Sequence, residues 1–131
     1  MGNQETRQSS SHQSQKIVLR LRSRDIILHY GFKFKVTISD LDMFPHELEG
    51  LRLWDIDIIA ARYIILESEK FKDKNVLVLK AGVGIAAIAL GKWTDAKSIA
   101  ICDVRDEVLR NGVKNCTING VSGIASFKLC P

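Results

Sequence analysis

Two prolines, three cysteines and three histidines in 131 residues leave little material for chemistry built on cross-links or metals. The cysteines, Cys102, Cys116 and Cys130, are odd in number and fall in no CxxC or Cys/His spacing, which argues against a zinc site. Cys102 lies in a strand-like run and Cys116 on a helix-like face, so both read as small buried hydrophobes in a reducing compartment. His29 and His46 have no acid or cysteine pattern around them and read as structural. No apolar run approaches the roughly 20 residues needed to cross a bilayer, and the longest spans residues 81–91. The polar N-terminus gives no secretory signal, so the chain is expected in the cytoplasm, with the nucleus also compatible. The excess of one sign of charge is small as well. The formal net charge is +4, with lysine and arginine scattered, so no nucleic-acid partner is called for.

What remains is an ordinary globular composition, 46% hydrophobic and 26% charged, with room for one domain. Residues 1–16, "MGNQETRQSSSHQSQK", contain no aliphatic residue after Met1 and are expected to form a disordered polar tail, with His12 solvated. Gly2 and Thr6 fit the Met-Gly-x-x-x-Ser/Thr pattern of N-myristoylation. One acyl chain would give only weak membrane contact. The intact mass of the cell-expressed protein tests this: an added acyl chain on Gly2 supports the pattern, and an unmodified Gly2 removes the idea.

Residues 17–131 form the folded part, with a lead-in at 17–50 and a second part at 51–131. In "KIVLRLRSRDIILHY" and "FKFKVTISD" apolar and polar residues alternate, as in half-buried strands, and Tyr30-Gly31 supplies a break for a β-hairpin. After the connector "DLDMFPHELEG", the run "LRLWDIDIIAARYIILESEKF" reads as a helix, with an apolar stripe at Ile58, Ile59, Arg62, Tyr63, Ile65 and Leu66. Asp55 and Asp57 stand near its start, where the helix dipole favours acids. Strand-like runs at Val76–Leu79, "KSIAICD" and "GIASFKL" then alternate with helix-like segments at 84–90 and 105–120. The later helix places Leu109, Gly112, Val113 and Cys116 on one face. Alternation of this length means βαβ units: an α/β fold with a Rossmann-like parallel sheet preceded by a β-hairpin.

Ligands of such sheets bind at the carboxyl ends of the strands. There the first strand meets Ala81-Gly82-Val83-Gly84, whose small side chains let a ligand reach backbone, and the second ends at Asp103, about twenty residues on. A carboxylate in that place can accept both hydroxyls of a ribose. The pattern admits a dinucleotide such as NAD, S-adenosylmethionine, or a small-residue turn serving only helix–strand packing.

The flanking runs "GLRLWDIDIIAARYII", "KDKNVLVLKAGVGIAAIAL" and "SIAICDVRDEVLRNGVKNCTING" resemble the seven-β-strand, class I S-adenosylmethionine-dependent protein-lysine methyltransferases. Three features carry the likeness: the Trp54-led helix ending in Tyr63-Ile64, the strand and glycine loop, and Asp103 followed by Val108-Leu109, Asn111, Asn115 and Asn119. It covers residues 30–129. The resemblance implies that Gly82 and Gly84 lie along the methionine part of the cofactor, with Ala81 also among the cofactor-binding residues, that Asp103 takes the ribose hydroxyls and that Trp54 borders the pocket. It also implies a protein substrate or partner.

Two positions depart from the pattern. Val78 stands where the family has an acid, and Lys80 stands where it has its first glycine. A lysine forced into a left-handed conformation costs about 1 kcal/mol or more. A lost charged hydrogen bond costs about 1.5–3 kcal/mol, so together the changes are expected to weaken cofactor binding roughly a hundredfold. The chain also stops after the third strand of the family's sheet. It is therefore expected to be the N-terminal half of the methyltransferase fold, weakly active or inactive alone. A non-catalytic interaction protein is the alternative, and an NAD-binding fragment a third.

Overall fold

The computed structural model describes residues 21–28, 34–42 and 46–129. The expected tail with Gly2, the first hairpin residues Ile17 to Arg20, the Tyr30-Gly31 break, His29 and Cys130 lie outside them. An antiparallel hairpin comes first, β1 (Arg22–Ile27) against β2 (Lys35–Asp40), with Arg22 opposite Asp40 and Ile26 opposite Val36. A 3₁₀ helix, His46–Leu51, leads into α1 (Asp55–Leu66), and a second one, Ser68–Phe71, follows it. The remainder runs β3 (Asn75–Val78), α2 (Ile85–Trp93), β4 (Ser98–Asp103), α3 (Asp106–Ile118) and β5 (Ala125–Lys128). These strands form one parallel sheet in the order β3-β4-β5. The architecture is thus the expected Rossmann-like layer behind a hairpin.

Alternation along the strands gives the sheet two faces. Val76 pairs with Ile99 and Val78 with Ile101, and these four side chains belong to the core beneath α2 and α3, with Val83, Ile85, Ile88 and Leu90. On the opposite face, Leu77 and Phe127 remain 53% and 55% exposed. Parallel sheets are ordinarily covered on both sides, and here the described residues cover one.

The predicted stripe of α1 needs correction. The buried residues are Ala61 and Ile64, with Ile58 and Ile65 partly buried, whereas Ile59, Tyr63 and Leu66 face outward. Isoleucines occur almost all round this helix, so periodicity could not select a face. The small Ala61 lies on the side that packs against α2. Arg62, counted in the predicted stripe, is exposed instead; its guanidinium Nε donates to the carbonyl of Leu28 at 2.6 Å and ties α1 to the hairpin. The helix is also shorter than expected, because Leu51, at the end of the 3₁₀ helix, and Leu53, in the non-helical chain after it, enter the core ahead of α1. No helix among the described residues is long and apolar enough to cross a membrane.

Two polar devices fix the hairpin. Asp40, fully buried, receives Arg22 Nε at 3.0 Å and Arg24 Nη2 at 2.8 Å. Burial alone would push its carboxyl up, but the two guanidinium groups together hold it below its ordinary value. The second device lies on α3. Asn119 Oδ1 accepts from the Thr37 amide at 2.9 Å, and its Nδ2 donates to the Thr37 carbonyl at 2.7 Å. One turn earlier, Asn115 Oδ1 accepts from the Ser39 amide at 2.8 Å and its Nδ2 donates to the Ser39 carbonyl at 3.0 Å. Asn111 Nδ2 reaches the same carbonyl at 2.8 Å. Three asparagines at helical spacing thus satisfy the outer edge of β2 as a neighbouring strand would.

Asn115 Nδ2 also donates to the Val83 carbonyl at 2.8 Å, so one buried amide ties hairpin, helix and glycine loop together. Replacing it by leucine orphans the Ser39 amide and the Val83 carbonyl at about 1–3 kcal/mol each. Asn115→Leu is therefore expected to lose about 3 kcal/mol in urea denaturation, whereas a loss under ~0.5 kcal/mol would show that the bridge is not structural.

Candidate functional site

β3 ends at Val78, and the chain crosses to α2 with Lys80, Gly82 and Gly84 at φ +50°, +58° and +91°. Alternate residues in left-handed conformation curl the backbone at the carboxyl end of the sheet. Glycine adopts this without penalty, while Lys80 pays the steric cost of its Cβ. The Ala81 amide donates to the Cys102 carbonyl at 2.9 Å, clamping the loop to the end of β4. The next amide, of Gly82, donates to Asp103 Oδ2 at 3.2 Å, and the Val104 amide donates to Asp103 Oδ1 at 2.8 Å. The carboxylate is 6% exposed, so these donors set its orientation and leave lone pairs toward the cavity beside it.

That cavity measures about 480 Å³ and is bounded by the loop, the start of α1 and the β4–α3 turn. This is within the roughly 300–1,000 Å³ usual for small-molecule and cofactor sites. Its wall includes Trp54, Lys80, Gly82 and Asp103, with Arg52 and Asp57. Trp54 is held at the rim: its indole N–H donates to the Glu49 carbonyl at 3.0 Å, and the Arg52 guanidinium stacks 4.5 Å from its ring centroid. Asp57 Oδ2 accepts from the Trp54 amide at 2.9 Å, the acidic half of a capping box. Burial pushes the Asp57 carboxyl up, and that hydrogen bond offsets the shift only in part.

Of the five residues the sequence nominates, Trp54, Gly82 and Asp103 meet at this cavity, while Ala81 and Gly84 lie outside its wall. Gly84 is instead needed for packing. A Cβ there would lie 2.9 Å from the Gly112 carbonyl oxygen of α3. The two departures also separate. Val78 packs on the core, and Lys80 borders the cavity. Arg52, Asp57, Val104 and Arg105 also line the wall without having been singled out for it. Asp57 alone carried a signal, as an acid three residues after the helix-leading Trp54.

No protein-family model matches the chain. Among curated proteins it is similar to the protein-lysine N-methyltransferase EFM3 of Chaetomium thermophilum, 29% identical over 72 residues that cover 55% of this chain and 21% of that protein. It is also similar to the protein-lysine N-methyltransferase EEF2KMT of Mus musculus, 28% identical over 88 residues, 66% of this chain and 26% of that one. The chain spans about a fifth to a quarter of the length of these relatives. Among solved structures, a protein described as a SAM-dependent methyltransferase from Streptococcus mutans aligns with TM-score 0.55 at 12% identity, covering 73% of this chain and 24% of that one. Another, described as a methyltransferase complexed with SAH, aligns with TM-score 0.55 at 11% identity and the same coverage. At these identities the likeness is one of fold, and the fold is that of the class I methyltransferases.

The two loop glycines should respond differently to a methyl group. Gly84→Ala meets backbone and keeps a positive φ, so about 2–3 kcal/mol of stability should be lost in urea denaturation. At Gly82 the nearest atom to a Cβ is the Gly50 carbonyl oxygen at 3.5 Å. Gly82→Ala should therefore cost only about 1–2 kcal/mol, from left-handed strain. Equal losses would refute the division of roles.

Proposed function

We propose that this chain is the cofactor-binding half of a class I methyltransferase fold, and that its cavity takes S-adenosylmethionine and its product S-adenosylhomocysteine. The observation that carries the reading is Asp103, a buried carboxylate at the carboxyl end of β4, oriented by the Gly82 and Val104 amides toward the cavity wall. Two acceptor oxygens there suit the paired hydroxyls of a ribose. Gly82, without a side chain, lets the rest of the ligand lie against the loop, and Trp54 offers an aromatic wall. The group supplies an activated methyl when bound. This chain's part is to hold and orient it and to exclude water on the Trp54 side.

The activity supported by the curated relatives is protein-lysine N-methylation, with a protein as substrate. Such transfer needs a neutral amine placed in line with the methyl, so positioning is the main requirement. A second reading, a non-catalytic interaction module, is favoured by the bare sheet face with Leu77 and Phe127.

Equilibrium dialysis of the purified chain against S-adenosylhomocysteine separates these readings. The expected result is saturable binding in the micromolar range or somewhat weaker. Asp103→Ala should weaken it about 10- to 100-fold, the equivalent of about 1.5–3 kcal/mol. No binding by the folded chain would leave the interaction reading, and binding unaffected by Asp103→Ala would place the ligand elsewhere.

A further inference from the structure

Lys80 puts a cation on the wall of this cavity, two residues ahead of the Gly82 amide that holds Asp103. We propose that Lys80 sets the site's preference between the two forms of its cofactor, favouring the neutral thioether S-adenosylhomocysteine over the sulfonium cation S-adenosylmethionine. The inference rests on the reading of the cavity as an adenosyl-cofactor site.

The placement follows from topology. Asp103 fixes the ribose end at the tip of β4, and the Gly82 amide touches that carboxylate. A substituent leaving the ribose toward the neighbouring strand therefore runs along the loop that follows β3. Lys80 is the charged residue of that loop. Its φ of +50° is set by the same left-handed curl that shapes the loop, so the side chain springs from an unusual backbone position beside the ligand path. The side chain is exposed, and no hydrogen bond or ion pair to it occurs among the described residues.

The wall also carries the acids Glu49, Asp57 and Asp103 and the bases Arg52 and Arg105, and among the described residues none of these acids forms an ion pair with Lys80. Asp103 is occupied by two amides at the ribose end, and Asp57 is engaged with the Trp54 amide at the start of α1. A thioether sulfur carries no formal charge and is indifferent to the ammonium. A sulfonium is repelled by it, and for this solvent-exposed ammonium a like charge about 4 Å away in near-aqueous surroundings weakens binding by roughly five- to tenfold. A site with this preference stays occupied by product, so the ratio of the two cofactor forms would govern its state.

Calorimetric titration of the full chain with each ligand separately tests the proposal in wild type, Lys80→Met and Lys80→Glu. Lys80→Met keeps the length and the positive φ while removing the charge, so it does not confuse charge with relief of strain. The expected result is that the affinity ratio favouring S-adenosylhomocysteine narrows roughly five- to tenfold in Lys80→Met and narrows further or inverts in Lys80→Glu. Lys80→Gln serves in place of either variant that fails to give a wild-type thermal melt. A ratio unchanged from wild type in the charge-neutral variant overturns the role of Lys80 while leaving the cofactor site intact. Silence of both ligands in wild type and in every folded variant overturns the cofactor reading itself, and this proposal with it.

Discussion

A single buried side-chain amide, that of Asn115, is shared by the three parts that build this molecule. Its oxygen takes the Ser39 amide of β2, and its nitrogen serves both the Ser39 carbonyl and the Val83 carbonyl of the glycine loop. An asparagine amide carries two donors and an acceptor in one plane, the same groups a strand presents along its edge. The hairpin therefore docks on a helix by sheet-like hydrogen bonds, with Asn119 repeating the pairing at Thr37. The same contact fixes Val83 between the two positive-φ glycines, next to the close approach of Gly84 to Gly112. Loop curvature, helix position and hairpin register are thus one coupled arrangement.

The cavity inherits its geometry from that arrangement. With α3 held close to the loop, Asp103 at the end of β4 comes within hydrogen-bond reach of the Gly82 amide, and the turn into α3 supplies the Val104 amide. The wall combines acids at 49, 57 and 103 with bases at 52, 80 and 105. Such a mixture suits a ligand with both polar hydroxyls and charged ends better than a polyanion. On the far side of the sheet the chemistry is different. Leu77 and Phe127 form an apolar surface on strands that carry helices on their other face only. Solved structures of which this chain covers about a quarter share its fold.

Much of this was legible in the sequence because several signals agree. Period-two alternation, apolar runs, small-residue turns and the asparagines at 111, 115 and 119 all point to the same strand–helix order, and the strands lie within a few residues of expectation. The inner face of α1 was hidden because isoleucine occupies nearly every side of that helix, and only packing against α2 chose Ala61 and Ile64. The division of labour between Gly82 and Gly84 was hidden for another reason. Both have positive φ, but which one has room for a methyl group depends on where Gly112 of a distant helix comes to rest. Lys80 was visible as an anomaly, while its place on the cavity wall, apart from Val78 in the core, needed the fold.

The most direct measurement is an amide NMR titration of the isotopically labelled chain with S-adenosylhomocysteine. If the cavity holds the ligand, shifts concentrate at the Gly82 and Val104 amides and the Trp54 indole, while Ala125–Lys128 and the outward face of α1 stay unchanged. Shifts confined to the bare sheet face, or none at all from a well-folded sample, would contradict a cofactor site at Asp103.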